Sequence, residues 1–422
     1  MFQVPRGTRD FTPDEMQKRR TVEQVIRKTF RSFGYQEIQT PTFETLELFT
    51  AKSGESILDE IYDFTDKGGR TLALRPELTA PVMRFYVNKL QMNPKPLKLF
   101  YVGSCFRYDR PQKGRYREFQ QAGCELIGAA TPESSAELIA LAYTILYNAG
   151  LKNIIINIGN LTIINAMFAH LGLKKETITT ILPLIDKEQF DDVHDVLLNQ
   201  GLTESKTSDF LNILQTPEIA TIKTYIKNDK DACAELTSLE TIFQFLKKCF
   251  HIDSYQLKMS IVRGLDYYKG IVFEIDAPIL GAEKQLCGGG AYDLIPLFGG
   301  RETPTQGFAI GFDRTLLALE EEQHNFPPEQ TDVYIIPVTP DMIKHALELA
   351  YQCRNKGLIT DIDLLQRGIG KALKHANAKH STHALIVGPD EYAENKVTIR
   401  DMTSGSQQQI ALANLFTTLK PS

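Results

Sequence analysis

The chain has 422 residues, a length that favours two or three domains over one. Hydrophobic residues make up 42% and charged residues 23%, as in ordinary globular proteins, and no apolar run approaches the ~20 residues of a membrane span. The net charge of −5 excludes a general attraction to nucleic acid, so any such binding must come from local basic patches.

The six cysteines indicate a reduced, cytoplasmic protein with buried thiols. They lie inside apolar runs and lack the paired spacing of a metal site, so no bound structural metal is predicted. The first residues include Arg6, Arg9 and Asp10 but no apolar segment, so no signal peptide is expected.

A helix is predicted from Pro13, because Thr12 can cap it and Glu15 completes a capping box. Gly34 ends this helix, and residues 35–41 are predicted to form a short strand. The apolar stripe on the helix consists of Val22, Val25, Ile26, Phe30 and Phe33. Helix and strand could pack within one subunit or between two.

The segment TLALRPELTAP, residues 71–81, predicts a buried strand that ends at Pro76 and is followed by a helix. Glu77 and Thr79 lie just before that helix. An acidic residue there complements the helix dipole, so Glu77 has a structural explanation besides any role in binding.

Residues 98–128 predict an antiparallel hairpin with a basic tip. Its two apolar runs alternate as strands do, whereas residues 109–117 are polar and contain Pro111 and Gly114. One face carries Arg107, Gln121 and Glu125. These groups need a ligand or one another on a buried face, although a basic surface hairpin would also be rich in charge.

The predicted secondary structure changes twice in the middle of the chain. A helix is predicted over 133–149 and a strand over 153–158, and strand signals then disappear from about 172 to 250, which predicts a helical insertion. Two apolar strands are predicted to flank the segment from Arg263 to Tyr268, whose arginine and tyrosines could form a cation–π cluster.

The segment CGGGAYD, residues 287–293, predicts a glycine-rich loop without the spacing of a dinucleotide-binding fingerprint. Residues 306–319 predict a strand, a tight turn and a helix start. Arg314 in the first helical turn opposes the helix dipole, so we expect it to balance an anion such as a triphosphate.

From about residue 331, strands alternate with helices, which predicts a small α/β domain with a mostly parallel sheet. Thr339 is predicted to cap its first helix. The second helix, 368–379, carries a basic stretch without acids, which suits phosphates or a solvated face. Its cations are Arg367, Lys371, Lys374 and Lys379.

The hairpin sequence FRYDRPQKGRYREF resembles the second signature motif of class II aminoacyl-tRNA synthetases, in the form found in histidyl-tRNA synthetases. Residues 13–41 resemble the first class II motif and residues 306–319 the third. The segment RGLDYY, starting at Arg263, is similar to a motif peculiar to histidyl-tRNA synthetases. The resemblance implies an α/β protein whose α+β catalytic domain has a mixed, mostly antiparallel sheet of the class II type.

The resemblance also implies the domain organisation. Residues 1–325 would form the catalytic domain, in which the helical insertion at about 172–250 approaches the tRNA acceptor arm. Residues 331–422 would form the anticodon-binding α/β domain. The first motif builds the dimer interface in the family, so a homodimer is expected.

The implied activity is histidine–tRNA ligation. The carboxylate of L-histidine attacks the α-phosphorus of ATP, and the histidyl-adenylate then donates histidine to the 3′ end of histidine tRNA. Arg107 and Arg263 would be the catalytic residues, since they stabilise charge as it develops. Arg107, Asp109 and Arg314 would bind ATP, with Mg²⁺ neutralising the remaining phosphate charge.

Six residues are implied to surround the histidine substrate. An ammonium donates three hydrogen bonds, which carboxylate, hydroxyl and amide oxygens can accept. A site for imidazole must form a hydrogen bond with each of the two ring nitrogens. The positions for the ammonium are matched by Glu77, Thr79 and Gln121. The positions for the imidazole are matched by Glu125 and Tyr268, and Arg263 lies at the carboxylate.

Gln112 and Arg117 match residues of the motif 2 loop that read the end of the tRNA acceptor stem. Two positions depart from the family pattern. Ala291 stands where the arginine of Gly-Gly-Gly-Arg-Tyr-Asp is expected, and Asp313 stands where glutamate is usual.

Two other functions remain open. One is the non-catalytic, histidine-sensing subunit of ATP phosphoribosyltransferase, whose members lack the C-terminal domain and degrade the motif 2 loop. The other is an RNA-binding protein with an inert synthetase-like domain, which predicts the loss of an arginine at 107, 263 or 314. This chain keeps the domain, the loop and all three arginines, which favours the ligase.

Overall fold

The computed structural model describes residues 2–262 and 268–419. By its internal contacts the chain divides into two compact units, Met1–Phe11 with Lys18–Asn325, and Thr12–Gln17 with Phe326–Ser422. None of the helices in the described ranges is long and apolar enough to cross a membrane.

The first unit is built on an eight-stranded mixed sheet. Its strands are β1 (Gln36–Glu37), β5 (Leu97–Phe106), β6 (Glu118–Ile127), β7 (Ile155–Asn160), β8 (Tyr255–Leu257), β9 (Tyr268–Asp276), β10 (Gln285–Tyr292) and β11 (Thr305–Gly311). A separate three-stranded sheet contains β2 (Phe43–Thr45), β3 (Tyr62–Thr65) and β4 (Thr71–Leu74).

The large sheet has the order β1-β5-β6-β11-β10-β9-β7-β8. Only the outermost pairings, β1 with β5 and β7 with β8, are parallel. The pairings between them are antiparallel, with β5 and β6 in one continuous register from Leu97–Ile127 to Phe106–Glu118. The mixed, mostly antiparallel sheet and the hairpin are therefore confirmed.

Helices flank the sheet and fill the insertion. They are α1 (Pro13–Ser32), α2 (Leu46–Ser53), α3 (Thr79–Phe85), α4 (Pro132–Ala149), α5 (Leu161–His170), α6 (Lys175–Asp186), α7 (Phe190–Asn199), α8 (Glu204–Gln215), α9 (Ile219–Tyr225), α10 (Lys230–Lys248) and α11 (Phe312–Glu321). Residues 175–248 thus form five consecutive helices without an intervening strand.

The start of α1 has the predicted capping box. The backbone N–H of Thr12 donates to Glu15 Oε2 at 2.7 Å, and the N–H of Glu15 donates to Thr12 Oγ1 at 3.4 Å. Farther along the helix, Val22, Ile26 and Phe30 are buried, as their spacing predicts.

The predicted glycine-rich loop is wrong, because Gly288, Gly289 and Gly290 lie in the middle of strand β10. A Cβ on Gly289 would lie 2.5 Å from the carbonyl oxygen of Gly307 on β11, and one on Gly290 would lie 2.5 Å from that of Ile271 on β9. Gly289 and Gly290 therefore serve close strand packing rather than a turn.

The segment before Arg263 also differs from its prediction. β8 ends at Leu257, and residues 258–262 contain a turn and no strand, whereas the second predicted strand is present as β9 and includes Tyr268. Residues 263–267, including Arg263, lie outside the described part of the chain.

The second unit holds a five-stranded sheet with the order β13-β12-β14-β15-β16. Its strands are β12 (Val333–Pro337), β13 (Thr360–Ile362), β14 (His383–Val387), β15 (Lys396–Asp401) and β16 (Gln407–Ala411). Its helices are α12 (Ile343–Asn355), α13 (Ile369–Ala378), α14 (Pro389–Ala393) and α15 (Leu415–Thr418).

This sheet is only half parallel. β13, β12 and β14 pair in parallel, but the hairpin β15–β16, which we did not predict, adds two antiparallel pairings. Both faces of β12 are buried, with Val333 and Ile335 in one apolar cluster and Tyr334 and Ile336 in another. The α/β character is confirmed and the mostly parallel sheet is wrong.

Two smaller predictions also fail. Thr339 precedes a 3₁₀ turn, Pro340–Met342, rather than α12 itself, and its side chain makes no capping bond. All six cysteines are free thiols, but only four are buried, and Cys249 is exposed at the end of α10.

Candidate active site

Two adjoining cavities lie over the central strands of the large sheet. The larger, of about 350 Å³, is lined by β6, β9, β10, β11 and the loop after β5. The smaller, of about 40 Å³, is lined by residues that include Lys52, Thr79 and Glu125. Both are lined by Tyr268, Gly288 and Ala309, so the two cavities adjoin.

Seven of the predicted site residues line one cavity or the other. Those in the larger cavity are Arg107, Asp109, Gln121, Tyr268 and Arg314, and those in the smaller are Thr79, Glu125 and again Tyr268. Glu77 is tied to this group because its carboxylate accepts from the backbone N–H of Thr79 at 2.8 Å. The fold thus brings together residues separated by more than 200 positions.

Glu77 caps the start of α3 and carries an ion pair. It accepts from the N–H groups of Thr79 and Ala80 at 2.8 and 3.0 Å, and Lys52 Nζ lies 2.9 Å from its Oε2. Burial opposes ionisation, but the Lys52 ammonium and the two N–H groups outweigh it and hold the pKa of Glu77 below its ordinary value. Glu77 is therefore a carboxylate at neutral pH.

Glu125 has the opposite environment. It lies on β6 with 1% of its surface exposed, accepts from the Tyr101 hydroxyl at 3.1 Å, and also accepts from the Tyr292 hydroxyl. Removal from water raises the pKa of Glu125 to about 8, despite these hydrogen bonds to its oxygens. Two carboxyl groups of one site thus hold different protonation states at pH 7.

Arg107 follows β5 and extends into the larger cavity. Its Nε donates to the carbonyl oxygen of Pro76 at 2.9 Å, and its guanidinium lies over the ring of Phe119, 5.3 Å from the centroid. These two contacts orient a half-buried cation, and the remaining N–H donors of the guanidinium can serve a ligand in the cavity.

Arg314 lies in the first turn of α11, where we expected an anion to balance it. The anion in this structure is Glu283, whose Oε2 lies 2.6 Å from Arg314 Nη2. Arg314 also donates to the carbonyl oxygens of Gly114 and Gln285, at 3.3 and 3.1 Å. These contacts hold the guanidinium at the edge of the larger cavity.

The loop between β5 and β6 places Gln112 and Arg117 outside both cavities. Gln112 is exposed and its Nε2 donates to Glu283 Oε1 at 2.7 Å. Arg117 donates from Nε to the carbonyl oxygen of Asp109 at 3.1 Å, and its guanidinium lies 4.0 Å from the Tyr108 ring centroid. These residues border the site rather than line it.

Asp313, the departure from glutamate in the third motif, supports the sheet from the side of α11. Its carboxylate pairs with Arg9 and Arg19 at 2.7 and 2.6 Å, and it accepts from the backbone N–H of Gln120 at 2.9 Å. An aspartate here joins the N-terminal segment, α1 and β6.

Ala291, the other departure, does not line either cavity of the site. It lines a third cavity of about 550 Å³, beside Lys269 and three acidic residues, Glu235, Asp293 and Glu302. Tyr292 lines both this cavity and the small one. The missing arginine therefore affects a region behind the site, next to the tyrosine that contacts Glu125.

Three residues of the site were missed by the sequence analysis: Lys52, Tyr101 and Tyr292. Tyr101 was available from the strand alternation, because it lies two residues before Gly103 on the face shared with Gln121 and Glu125. Tyr292 continues the alternation of β10 from Gly290. Nothing in the local sequence pointed to Lys52.

The basic stretch 367–379 contains no acid, as predicted, but two of its cations pair with acids that precede it in the chain. Arg367 pairs with Asp363, and Lys379 Nζ lies 3.0 Å from Asp361 Oδ2. Asp363 lies just beyond β13 and only four residues before Arg367, whereas Asp361 lies within β13 and is brought close to Lys379 by the fold.

The polar groups of the site are guanidinium, carboxylate, amide and hydroxyl groups. Within residues 2–262 and 268–419, no cluster of three or more His, Cys, Asp or Glu side chains is arranged to hold a metal ion. The larger cavity instead combines three arginines, Arg107, Arg115 and Arg314, with the carboxylates of Asp109, Glu274 and Asp313. Such a site can bind and orient an anionic ligand.

Comparisons with known proteins show what the chain is similar to over its length. A family model described as histidyl-tRNA synthetase matches residues 7–315, and one described as an anticodon-binding domain matches residues 332–421. Proteins named histidine–tRNA ligase are 44% identical over 412 residues in Methanosarcina acetivorans, covering 98% of this chain and 97% of the relative, and 43% identical over 422 residues in Methanocaldococcus jannaschii, covering 98% and 99%.

A solved structure gives the same result. The apo histidyl-tRNA synthetase of S. aureus is 30% identical, with a TM-score of 0.78, and the match covers 99% of this chain and 100% of that one. The similarity extends over nearly the full length of this chain and of its relatives.

Proposed function

This chain belongs to the histidyl-tRNA synthetase family, and from that premise we propose how its residues divide the reaction between them. The activity is that of a class II aminoacyl-tRNA synthetase, a histidine–tRNA ligase. It activates L-histidine with ATP to histidyl-adenylate and transfers histidine to the 3′ end of histidine tRNA. The observation that carries the division of roles is the adjacency of an arginine-lined cavity and a small cavity lined by Glu125.

ATP occupies the larger cavity in this proposal. Arg107 holds the α-phosphate, Arg314 holds the β- or γ-phosphate, and Asp109 accepts from the adenine amino group. The assignment is supported by the position of all three side chains along one cavity. An in-line displacement at phosphorus needs positioning and positive charge more than a strong base, which these arginines supply.

The histidine ammonium lies at Glu77, Thr79 and Gln121. Glu77 is suited to this role because its pKa is lowered and it faces a cation already. Gln121 lines the larger cavity, and Thr79 lines the smaller one. The substrate would therefore span the junction of the two cavities, with its carboxylate directed at the α-phosphate.

The imidazole lies between Glu125 and Tyr268. A neutral imidazole has one ring nitrogen that donates and one that accepts. With a pKa of about 8, Glu125 keeps its proton at neutral pH and can donate to the accepting nitrogen. The Tyr268 hydroxyl can then accept from the other nitrogen, and a ligand without both groups leaves buried polar atoms unpaired.

Arg263 stabilises the histidine carboxylate and the α-phosphate as charge develops between them. It lies outside the described residues, and the assignment rests on the RGLDYY motif. Ile261, two residues before it, and Tyr268, five residues after it, both line the larger cavity.

The tRNA is bound through three parts of the chain. Gln112 and Arg117 read the end of the acceptor stem from the loop that borders the site. The helical insertion, about 172–250, approaches the acceptor arm, and residues 331–422 bind the anticodon. This last role is supported by the match of residues 332–421 to an anticodon-binding domain.

Magnesium accompanies ATP in this proposal. Mg²⁺ in nucleotide sites is held by one or two carboxylates plus phosphate oxygens. Glu274 lines the larger cavity and gives a donor set that fits this arrangement. The ion would supply charge neutralisation at the phosphates.

The enzyme acts as a cytoplasmic homodimer in this proposal. Free thiols at all six cysteines support a reducing compartment. The dimer would form through α1 and β1, and β1 lies at the edge of the large sheet. A solution mass of one chain, measured by light scattering, would contradict the dimer.

Exchange of labelled pyrophosphate into ATP, measured with each of the twenty amino acids, tests the function. Exchange with histidine alone is expected. Histidine binding without exchange would instead indicate the regulatory subunit. In the same assay, Arg263→Ala should lose adenylate formation but keep histidine and ATP binding, and near-normal single-turnover activation would refute its role.

A further inference from the structure

Lys52 lies in the histidine site although no motif pointed to it. It is in the last turn of α2, on the face shared with Leu48 and Phe49, which are four and three residues earlier and buried. Its side chain is only 10% exposed, and its Nζ lies 2.9 Å from Oε2 of Glu77, itself 16% exposed. A lysine is thus directed inward, against a carboxylate of the substrate site.

The ammonium of Lys52 has the chemistry of the ammonium that the site is meant to bind. Both are compact cations with three N–H donors. Glu77 already accepts from two backbone N–H groups on the α3 side. Lys52 approaches Oε2 as the side-chain cation, and it lines the small cavity together with Thr79 and Glu125.

Simultaneous binding of the Lys52 ammonium and the substrate ammonium to the Glu77 carboxylate is unfavourable. They would lie within a few ångströms of each other in a partly buried site, where like charges repel far more strongly than in water. Lys52 also lines the small cavity, of about 40 Å³, so its side chain takes up room beside Thr79 and Glu125. Histidine therefore needs both the charge and the space that Lys52 occupies.

We propose that Lys52 is a specificity-determining residue whose ammonium occupies the place of the substrate ammonium on Glu77 and must be displaced when histidine binds. The proposal rests on the proposed role of Glu77. A ligand with an imidazole but no ammonium leaves the Lys52–Glu77 pair intact and finds the site closed. A ligand with an α-ammonium, by contrast, supplies Glu77 with a cation in place of the Lys52 ammonium that it displaces.

The test compares Lys52→Met with wild type by calorimetric titration, since the chain has no tryptophan to report binding by fluorescence. The ligands are L-histidine and imidazolepropionate, which lacks the α-ammonium. Lys52→Met should bind histidine roughly tenfold more tightly, the change expected if Lys52 occupies Glu77 nine-tenths of the time. Imidazolepropionate should show no such gain.

Lys98→Met is the matched control, because Lys98 makes a partly buried ion pair of 2.8 Å with Glu137 away from the site. It should leave the histidine Kd unchanged. If Lys52→Met melts like wild type and binds histidine equally or less tightly, the displacement proposal is overturned.

A second measurement uses the unaltered enzyme, in case Lys52→Met does not fold. Acetylation of Lys52 by an amine-reactive ester, followed by peptide mass spectrometry, should be faster in the presence of histidine, because the displaced amine becomes accessible. An unchanged or slower rate overturns the proposal. Glu77→Gln separates this from the site assignment, since histidine affinity equal to wild type in that variant would refute the role of Glu77 itself.

Discussion

The Tyr101 hydroxyl reaches the carboxylate of Glu125, 3.1 Å away, by passing over a position of β6 that has no side chain. The residue opposite Tyr101 in the hairpin is Gly123. A Cβ on Gly123 would lie 2.6 Å from the Tyr101 hydroxyl and 2.6 Å from the carbonyl oxygen of Phe308. The hydrogen bond therefore depends on a glycine two residues away.

Gly123→Ala should displace Tyr101 and lower the free energy of unfolding by about 1–3 kcal/mol, as overpacking in a core does. Histidine binding should weaken as well, because Glu125 loses a donor. Chemical unfolding and calorimetric titration measure the two effects. Gly370→Ala in α13, where a Cβ meets no atom within 4 Å, is the control and should not destabilise the protein.

Glu125 should make the stability of the protein fall as the pH rises from about 5 to 8. Its pKa is raised from 4.5 to about 8 by burial, so in this window the unfolded chain loses the proton while the folded chain keeps it. The folded state then binds more protons, and its stability decreases with pH by an amount on the order of 3–5 kcal/mol.

Glu125→Gln removes this contribution, since an amide does not titrate. Urea midpoints of both proteins at pH 5.5 and pH 8 give the comparison. The stability of wild type relative to the variant should be higher at pH 5.5 than at pH 8. A difference between the two proteins that does not change with pH would show that Glu125 titrates normally.

Glu283 should compete with ATP for Arg314. The two side chains form an ion pair of 2.6 Å, and a triphosphate bound to Arg314 must break or share it. Glu283→Gln should lower the KM for ATP by roughly 3–10-fold, whereas Arg314→Ala should raise it by about tenfold or more. The KM for histidine serves as the internal control, and a rise in the ATP KM of Glu283→Gln would contradict the competition.

Ala291→Arg should stabilise the protein, because the new guanidinium would enter a cavity of about 550 Å³ that contains Glu235, Asp293 and Glu302. A gain of about 1 kcal/mol in the free energy of unfolding is expected. Ala291→Met, of similar length but without charge, is the matched control. Equal stability of the two variants would show that charge in this cavity is unimportant.

Much of the site could be predicted because its signals are local. The alternation of the hairpin placed Gln121 and Glu125 on one face, and the helix start placed Arg314 in a first turn, where the structure has both. Such patterns depend only on the periods of strands and helices. Reasoning from the local pattern failed at 287–293, where we predicted a loop. A run of glycines is compatible both with a turn and with a tightly packed strand, and the sequence alone does not distinguish them.

The sequence by itself determined the class of fold, the order of its motifs and seven of the polar residues that line the two cavities. Only the tertiary structure decided which charged side chains form ion pairs with one another. Lys52 with Glu77, Arg314 with Glu283, and Asp313 with Arg9 and Arg19 are all pairs between distant segments. The different protonation of Glu77 and Glu125 likewise arises only when the strands and helices pack. Burial raises the pKa of Glu125, whereas at Glu77 the Lys52 ammonium and two backbone N–H groups outweigh burial, and the local sequence does not specify these neighbours.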